Sequence, residues 1–395
     1  MISKFIKALT YIPMYLITSM VPKSPNTWVF GAWYGKKYSD NPKAVFDYVN
    51  NGNNAIDAIW ITKDKHLCKK LRQGGINARN ATSLYGMWYQ MRAGAAILTH
   101  SVQADFFSPC ISGKTKRVHL WHGIPLKKIG YNGHFNRDAR IKLWLKNTLF
   151  RFKRDHIDLV CAASDKVADI YSLAFNVPRS RTIVTGSPNS DQVILRAKEN
   201  DNKEKLFILY APTFRNGVWQ EFNFFGPYIS NIGVLDKKLE QENMRLGIRP
   251  HPVNKLTKTT IDSISASKNI YFEGADELND EIWKYDALIT DFSGVMFDFA
   301  LLKRPIYFLP LGLESYLVNE RKLYVDYEQF TKGHTLDGWQ DLEKNIPMIS
   351  NQLRTGAAPL NEQVAEYGVK YYDGRNSERV YQEILSLFQT PLQND

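Results

Sequence analysis

Short apolar runs alternate with segments of helical periodicity along the first half of the chain. The runs are rich in aliphatic and aromatic residues and are bounded by Gly, Pro or polar positions, as buried strands are. The predicted strands are residues 28–31, 58–61, 95–98, 118–121, 159–162 and 182–184. The predicted helices lie near residues 42–50, 64–73, 83–92, 137–152, 164–175 and 188–198. This alternation indicates parallel βαβ units.

A polar stretch at residues 197–205 separates this half from a second series of the same kind. Its predicted strands are residues 206–210, 245–248, 270–272, 287–290 and 305–309. The pattern predicts an α/β protein with two Rossmann-like, doubly wound domains, residues 23–200 and 205–375, and a helix with a tail at 376–395. We expect a ligand in a central cleft that faces the carboxyl ends of both sheets.

Two segments have the character of membrane-surface helices. Residues 1–22 carry apolar side chains at helical spacing with lysines elsewhere, and residues 137–154 hold seven basic residues and one acidic residue among Trp, Leu and Phe. Such segments are attracted to anionic lipid headgroups. The alternatives are a helix packed on its own domain for the first segment, and a solvated helix face or a nucleic-acid-binding stripe for the second.

The amino-acid composition limits the kinds of molecule that the protein is expected to bind. The 395 residues include 51 Lys and Arg against 40 Asp and Glu, a net charge of +11, and 44% apolar residues exclude a disordered chain. The positive charge indicates anionic partners. The three cysteines are far apart, which argues against a disulfide framework or a zinc site and favours a reducing, cytosolic location. No uninterrupted apolar stretch is long enough to span a bilayer, and no nucleic-acid-binding signature is present.

In the first half of the sequence, side chains able to transfer protons or bind anions are most concentrated in residues 119–130, HLWHGIPLKKIG. A predicted strand ends there in a Gly/Pro turn, which places His122 at the mouth of a sheet, where an imidazole can remove a proton from a hydroxyl. His119 is expected to support it, and Lys127 and Lys128 to meet anionic oxygens. The alternative is an ordinary loop histidine followed by two solvated lysines.

Polar residues follow three predicted strands of the second half. Thr213 and Arg215 follow one, Arg249 and His251 the next, and residues 290–294 a third. If these strands are neighbours, guanidinium, imidazole and the amides after Ser293, a predicted helix N-cap, converge on one spot. Such a site suits a diphosphate held without a metal ion.

Several of these segments together resemble the CDP-glycerol glycerophosphotransferase family, the primases and polymerases of teichoic acids and related phosphate-containing capsule or O-antigen polymers. The matching segments are residues 30–42, 121–130, 210–215, 249–252 and 289–305. The resemblance covers roughly residues 28–310, in the order of the family's motifs. It implies a GT-B fold, a reaction without metal or cofactor, and a peripheral enzyme on the cytoplasmic face of the membrane.

The resemblance also assigns roles. It implies that His122 and His251 are catalytic, and that the donor phosphates are bound by a set that comprises Arg249, Thr213, Arg215, Thr290, Asp291, Ser293 and Gly294. Lys127, Lys128 and His119 are expected on the acceptor side. The implied partners are CDP-glycerol or CDP-ribitol, a lipid-linked saccharide acceptor and an anionic membrane surface, with no nucleic acid.

Three departures from the family's motifs concern the donor: Ile124, Gly294 and Asn189 stand where the family has Thr, Ser and Arg. The leading hypothesis is transfer of glycerol 3-phosphate from CDP-glycerol to a hydroxyl, with release of CMP, by a primase or single-unit transferase. The alternatives are a ribitol phosphotransferase, a glycosyltransferase that uses a nucleotide sugar, and a non-catalytic partner in polymer assembly.

Overall fold

A computed structural model describes residues 2–52, 55–130, 156–197, 204–213, 221–250, 254–274, 278–311 and 322–389. The chain forms two compact units. Unit 1 comprises residues 1–123, 130–191 and 375–395, and unit 2 comprises residues 124–129 and 192–374. The predicted helix at 137–152, Arg215 and His251 lie outside the described residues.

The sheet of unit 1 is parallel throughout and seven strands wide in the described residues. Its strands are β1 (Ser24–Gly31), β2 (Asp57–Thr62), β3 (Ala78–Asn80), β4 (Ala93–Leu98), β5 (Lys116–His119), β6 (Leu159–Ala162) and β7 (Thr182–Val184). The spatial order β3-β2-β1-β4-β5-β6-β7 is that of a doubly wound Rossmann sheet, extended by one strand. The predicted α/β class is confirmed.

The sheet of unit 2 is built from β8 (Leu206–Ala211), β10 (Met244–Ile248), β12 (Ile270–Phe272), β13 (Ala287–Thr290) and β14 (Ile306–Phe308). The order is β12-β10-β8-β13-β14, and every pairing is parallel. Two short strands, β9 (Glu221–Phe222) and β11 (Lys255–Leu256), pair apart from this sheet. Since β10, β8 and β13 are neighbours, the three strand ends that carry the predicted donor-site residues lie side by side.

The helices of the described residues are α1 (Ile2–Met20), α2 (Asp40–Asn51), α3 (Lys65–Gln73), α4 (Leu84–Arg92), α5 (Val102–Asp105), α6 (Asp165–Phe175), α7 (Asp191–Ala197), α8 (Ile232–Gln241), α9 (Lys258–Ala266), α10 (Val295–Ala300), α11 (Tyr327–Phe330), α12 (Trp339–Thr355), α13 (Glu362–Gly368) and α14 (Asn376–Gln389). Several begin at side chains that accept backbone N–H groups, for example Asp64 before α3, Ser83 before α4 and Ser164 before α6. These short polar residues satisfy amides that the first helical turn leaves free.

Both cores are made of the predicted strands and the apolar faces of the helices. In unit 1, Trp28 and Trp60 are wholly buried, and α14 closes the same core with Val380 and Ile384. In unit 2, Leu235 and Ile289 are wholly buried in a cluster that includes one face of α12. Helix α14 therefore belongs to the first unit, although it follows the second in the sequence.

Helix α1 is partly packed and partly open. Its Tyr11 ring meets Phe107 edge-on at 5.3 Å, and Thr18 is wholly buried. Leu16, Ile17 and Met20 are exposed. Within the described part of the chain, no helix combines the length and the apolar character needed to cross a membrane.

Three local predictions were wrong. Strand β3 was missed because its sequence, Ala-Arg-Asn, is short and mostly polar. Strand β5 ends at His119, not at residue 121. The helix predicted from residue 188 begins at Asp191, because residues 188–190 form a 3₁₀ turn.

Candidate active site

The loop after β5 turns sharply at a strained residue. Leu120 still pairs with the sheet through its N–H to the Leu98 carbonyl at 2.9 Å. Trp121 then adopts φ 53°, a left-handed conformation that costs a non-glycine residue about 1 kcal/mol or more. Asn41 Nδ2 donates to the Leu120 and Trp121 carbonyls at 3.1 and 3.3 Å. The strained turn is thus held in place, and it directs His122 away from the strand.

The His122 ring lies within a group of aromatic rings. Trp121 is 4.2 Å from it between centroids, Trp33 is 5.2 Å away, and His100 stacks on it at 4.6 Å with 9° between the planes. Burial, followed by the charges of His100 and His119, lowers the pKa of His122 to about 3. The buried Nδ1 atom has no hydrogen-bond partner. At neutral pH the ring is therefore a neutral imidazole, able to accept a proton.

A buried carboxylate organises the loop after the neighbouring strand β4. Asp105 is wholly buried and accepts N–H groups from Tyr34, Thr99 and His100 at 2.9, 3.0 and 2.8 Å. Burial raises the pKa of this carboxyl, while the three amides and the charge of His100 oppose that effect. The carboxylate joins the 33–35 turn to residues 99–100, and so fixes two of the loops that surround His122.

His119 has a supporting position. It is 97% buried, and its Nε2 donates to the His100 carbonyl at 2.9 Å, which only an Nε2–H tautomer allows. Its ring stacks on Trp121 at 5.6 Å. The two lysines that follow the turn belong to unit 2: Lys127 bridges to Leu323, and the Lys128 N–H donates to the Lys322 carbonyl at 2.8 Å. The acceptor-side role of these residues stays a prediction.

In unit 2, a second buried aspartate organises the strand ends. The Oδ1 atom of Asp291, after β13, accepts the N–H of Thr213 at 2.7 Å and that of Phe292 at 2.6 Å. The Thr290 hydroxyl donates to the Ala211 carbonyl at 2.7 Å. Both side chains are wholly buried. Through these hydrogen bonds they connect the chain after β8 to the chain after β13. Thr213 Oγ1 is buried without a hydrogen-bond partner.

The predicted capping role of Ser293 is wrong. Helix α10 begins at Val295, its N-cap is Gly294, and no side chain caps it. Ser293 contributes its carbonyl, which accepts the Met296 N–H at 3.3 Å, so its half-buried hydroxyl is not used in the cap. Arg249, after β10, is anchored by its backbone N–H to the Tyr210 carbonyl at 2.8 Å and by Nη1 to the Glu273 carbonyl at 3.3 Å.

His100, Asp105 and Trp33 were not predicted from the sequence. Of the three, only the position of His100 carried a usable signal, since residues 99–101 directly follow β4, the neighbour of β5 in the sheet. The same strand-end rule that selected His122 therefore selects His100. Across the described ranges, no three His, Cys, Asp or Glu side chains are grouped as metal ligands.

Two Rossmann-like sheets, one with an imidazole beyond its strands, place the chain in the GT-B-like fold class. A solved structure of the wall teichoic acid polymerase TagF, soaked with CDPG, matches 98% of this chain and 98% of its own with a TM-score of 0.71 at 19% identity. The chain itself belongs to the CDP-glycerol:poly(glycerophosphate) glycerophosphotransferase family, whose model matches residues 13–386. The GT-B and family predictions are confirmed.

The relatives that are similar over almost their whole length include two that are named for different polyols. A teichoic acid glycerol-phosphate transferase of Staphylococcus aureus (strain NCTC 8325) is 27% identical, over 98% of this chain and 100% of its own. A teichoic acid ribitol-phosphate primase of Bacillus spizizenii is 23% identical, over 98% of this chain and 97% of its own. The relatives include enzymes named for each polyol.

Proposed function

We propose that the protein transfers glycerol phosphate from CDP-glycerol to a hydroxyl of a lipid-linked saccharide, in the synthesis of a teichoic-acid-like polymer. The acceptor oxygen attacks the phosphorus that carries glycerol. The bond from this phosphorus to the bridging oxygen breaks, and CMP leaves with the bonding electrons. The products are a phosphodiester and CMP, and no cofactor is consumed. The observation that carries the proposal is the neutral, stacked imidazole of His122 in a chain of this family.

His122 is the proposed general base. Because Nδ1 is the buried nitrogen, Nε2 is the one through which the ring reaches the acceptor hydroxyl. An imidazole with a pKa near 3 is a weak base, but a well-placed base still contributes about 10²–10⁴ in rate.

The strand ends of unit 2 are the proposed diphosphate site. Arg249, Thr213 and Ser293 offer a guanidinium and two hydroxyls at the ends of adjacent strands. Charge-assisted hydrogen bonds from such groups stabilise the charge that develops as CMP leaves. We extend this role to Arg215, His251 and Gly294, which follow the same strands in the sequence, with His251 as the second catalytic histidine. Asp291 and Thr290 would act by holding the loops.

Glycerol is the proposed polyol because the family model and the S. aureus relative both name it. Ribitol is the second candidate, favoured by the similarity to a ribitol-phosphate primase; the three departures at Ile124, Asn189 and Gly294 concern the choice of donor without favouring either polyol. We propose addition of a single unit, on the similarity to that S. aureus transferase; addition of many units is the second candidate, because a teichoic acid poly(glycerol phosphate) polymerase is matched over 96% of its own length as well.

The acceptor implies a membrane surface, and we propose that the protein binds it peripherally, from the cytoplasmic side. Exposed Leu16, Ile17 and Met20 of α1 support this proposal, as do Trp88 and Tyr85 of α4 in the same unit. Apolar side chains on basic, amphipathic segments enter the headgroup region of anionic bilayers. Sedimentation with anionic liposomes should fall when Leu16 and Ile17 are both replaced by Glu, and should be unchanged by glutamates at exposed Val234 and Ile261 of unit 2.

The deciding experiment measures release of CMP or UDP from CDP-glycerol, CDP-ribitol and nucleotide sugars in the presence of a membrane lipid extract. We expect CMP release from CDP-glycerol, with phosphorus transferred to the lipid fraction, and loss of both with His122→Ala. His66→Ala, at an exposed histidine of α3, is the matched control. Turnover of CDP-ribitol alone would reassign the polyol, and turnover of a nucleotide sugar alone would overturn the proposed reaction.

A further inference from the structure

A continuous set of hydrogen bonds fixes the His100 ring behind His122. His100 Nδ1 lies 2.8 Å from Thr99 Oγ1, which lies 3.3 Å from Asp105 Oδ2. The Trp33 N–H also donates to Thr99 Oγ1, at 3.1 Å. One hydroxyl has a single proton and two lone pairs. If the hydroxyl proton goes to the carboxylate, Oγ1 accepts from Trp33 and from His100, so His100 carries its proton on Nδ1.

The fixed ring lies flat against His122. The planes are 9° apart at 4.6 Å, and the Tyr34 ring covers His100 at 4.4 Å. The His100 backbone is held as well, by its N–H to Asp105 and its carbonyl from His119. His100 is thus held at both its backbone and its ring, while the His122 ring has no hydrogen bond at Nδ1 to hold it. Ring contacts therefore orient it, and of these the contact with His100 is the one in which the planes are nearly parallel.

We propose that His100 is the positioning residue of the transfer reaction: its ring, held by Thr99 and Asp105, orients the His122 imidazole and disfavours its protonation. The role in the transfer reaction rests on the proposed function, whereas the coupling of the two rings does not depend on it. Two stacked imidazoles resist double protonation, because like charges at this distance repel in a buried site. A proton is better placed on His100, whose Nδ1 is 4.0 Å from Asp105 Oδ1. His122 then stays neutral.

Charged and titratable groups lie on three sides of the pair. His119 lies on the β5 side, and Asp105, with Lys63 near it, lies on the α5 side. Trp33, whose indole N–H donates to Asp40 and whose ring lies 5.1 Å from Lys37 Nζ, lies on the side of the 33–35 turn. Burial lowers the pKa of His100, and the charge of Asp105 opposes that effect, whereas burial, His100 and His119 all lower the pKa of His122. The charges of Asp105 and His119 therefore favour a neutral His122 ring, as the stacking of the two imidazoles does.

Two variants separate orientation from charge. His100→Phe retains a flat ring and removes the second imidazole. We expect kcat at pH 8 within about threefold of wild type, and an acidic limb of the pH profile moved to higher pH. His100→Ala removes the ring as well. We expect kcat to fall between about 10- and 100-fold, as for a misoriented catalytic group, with KM for CDP-glycerol unchanged. His66→Ala is again the control.

A second readout does not need activity. In protein labelled with ¹³C-histidine, the His122 ring signal, assigned by its loss in His122→Asn, should titrate at higher pH in His100→Phe than in wild type. An unchanged titration together with wild-type kcat in His100→Ala would overturn the proposal. If no activated donor is turned over by the wild type, the proposed function fails, and the titration still decides whether the rings are coupled. A loss of thermal stability in both variants with an unshifted titration would show a purely structural role and would also overturn it.

Discussion

Asp105 in unit 1 and Asp291 in unit 2 are both wholly buried carboxylates at the ends of parallel strands, and both accept backbone N–H groups from two loops. Their surroundings differ. Asp105 lies beside His100, whose ring stacks on that of His122. Asp291 holds the backbone of Thr213 and Phe292, at the proposed diphosphate site. In the proposed reaction, the same device supports proton transfer in unit 1 and anion binding in unit 2.

Of the experiments that test the difference between the two regions, the largest effect is expected on the rate of proton transfer in unit 1. His122→Asn keeps a polar side chain of similar reach but cannot take a proton at neutral pH. We expect the rate of CMP release to fall by about 10²–10⁴, while the affinity for CDP-glycerol changes little. Single-turnover kinetics and calorimetric titration separate the two quantities. Turnover above a tenth of the wild-type rate would mean that another group accepts the proton.

The next effect concerns the stability of unit 2. Asp291→Ala leaves two buried N–H groups without an acceptor, each worth about 1–3 kcal/mol, so we expect a loss of about 3 kcal/mol. Urea denaturation measures it. Asp326→Ala is the matched control, because Asp326 is an exposed N-cap whose loss costs about 1 kcal/mol. Equal losses in the two variants would show that Asp291 organises nothing beyond its own turn.

The pH dependence of stability should distinguish the two regions as well. The pKa of His122 is about 3 in the folded chain and near 6.5 when unfolded. Between these values the unfolded chain binds more protons, so stability rises with pH across the window and is lost on acidification. From pH 7 to pH 5 we expect this residue to account for a loss of the order of 2 kcal/mol. His122→Asn should remove that part of the slope and His66→Asn should not; equal slopes in all three proteins would contradict it.

The smallest effect concerns the anion site. The Ser293 hydroxyl is not used in the cap of α10, so Ser293→Ala should leave the unfolding midpoint unchanged. Loss of one hydrogen bond to a phosphate should raise KM for the donor about tenfold, which corresponds to about 1.4 kcal/mol. Ser83→Ala, which removes the cap of α4, should show the reverse pattern of lower stability and unchanged KM. A wild-type KM in Ser293→Ala would exclude contact with the donor.

Much of this architecture could be predicted from local pattern. The apolar runs contain so few polar residues that the bounds of strands β1, β2 and β4 were predicted to within a few residues. The rule that functional side chains follow the carboxyl ends of parallel strands selected His122 and Asp291. The predictions that failed concern features that depend on contacts between residues far apart in the sequence. Strand β3 has a polar sequence and forms because β2 offers an edge, at Trp60, Ile61 and Thr62. Ser293 reads as a cap, but the backbone starts the helix one residue later.

The supporting residues of the site were missed for a related reason. Asp105 is separated from Tyr34 by about seventy positions, and nothing in the local sequence marks a carboxylate as a partner for a distant amide. His100 has no motif around it, and its significance depends on the ring that stacks on it. Trp121 could not be foreseen in a left-handed conformation either, because its sequence is compatible with an extended strand.

The return of α14 to unit 1 has a consequence for synthesis on the ribosome. The strands of unit 1 are translated first, but the side chains of Val380 and Ile384 that complete their core are translated only after all of unit 2. Until then, part of the apolar surface around Trp28 has no cover. During that interval this surface is prone to aggregation, as the exposed apolar surface of an incompletely folded domain is.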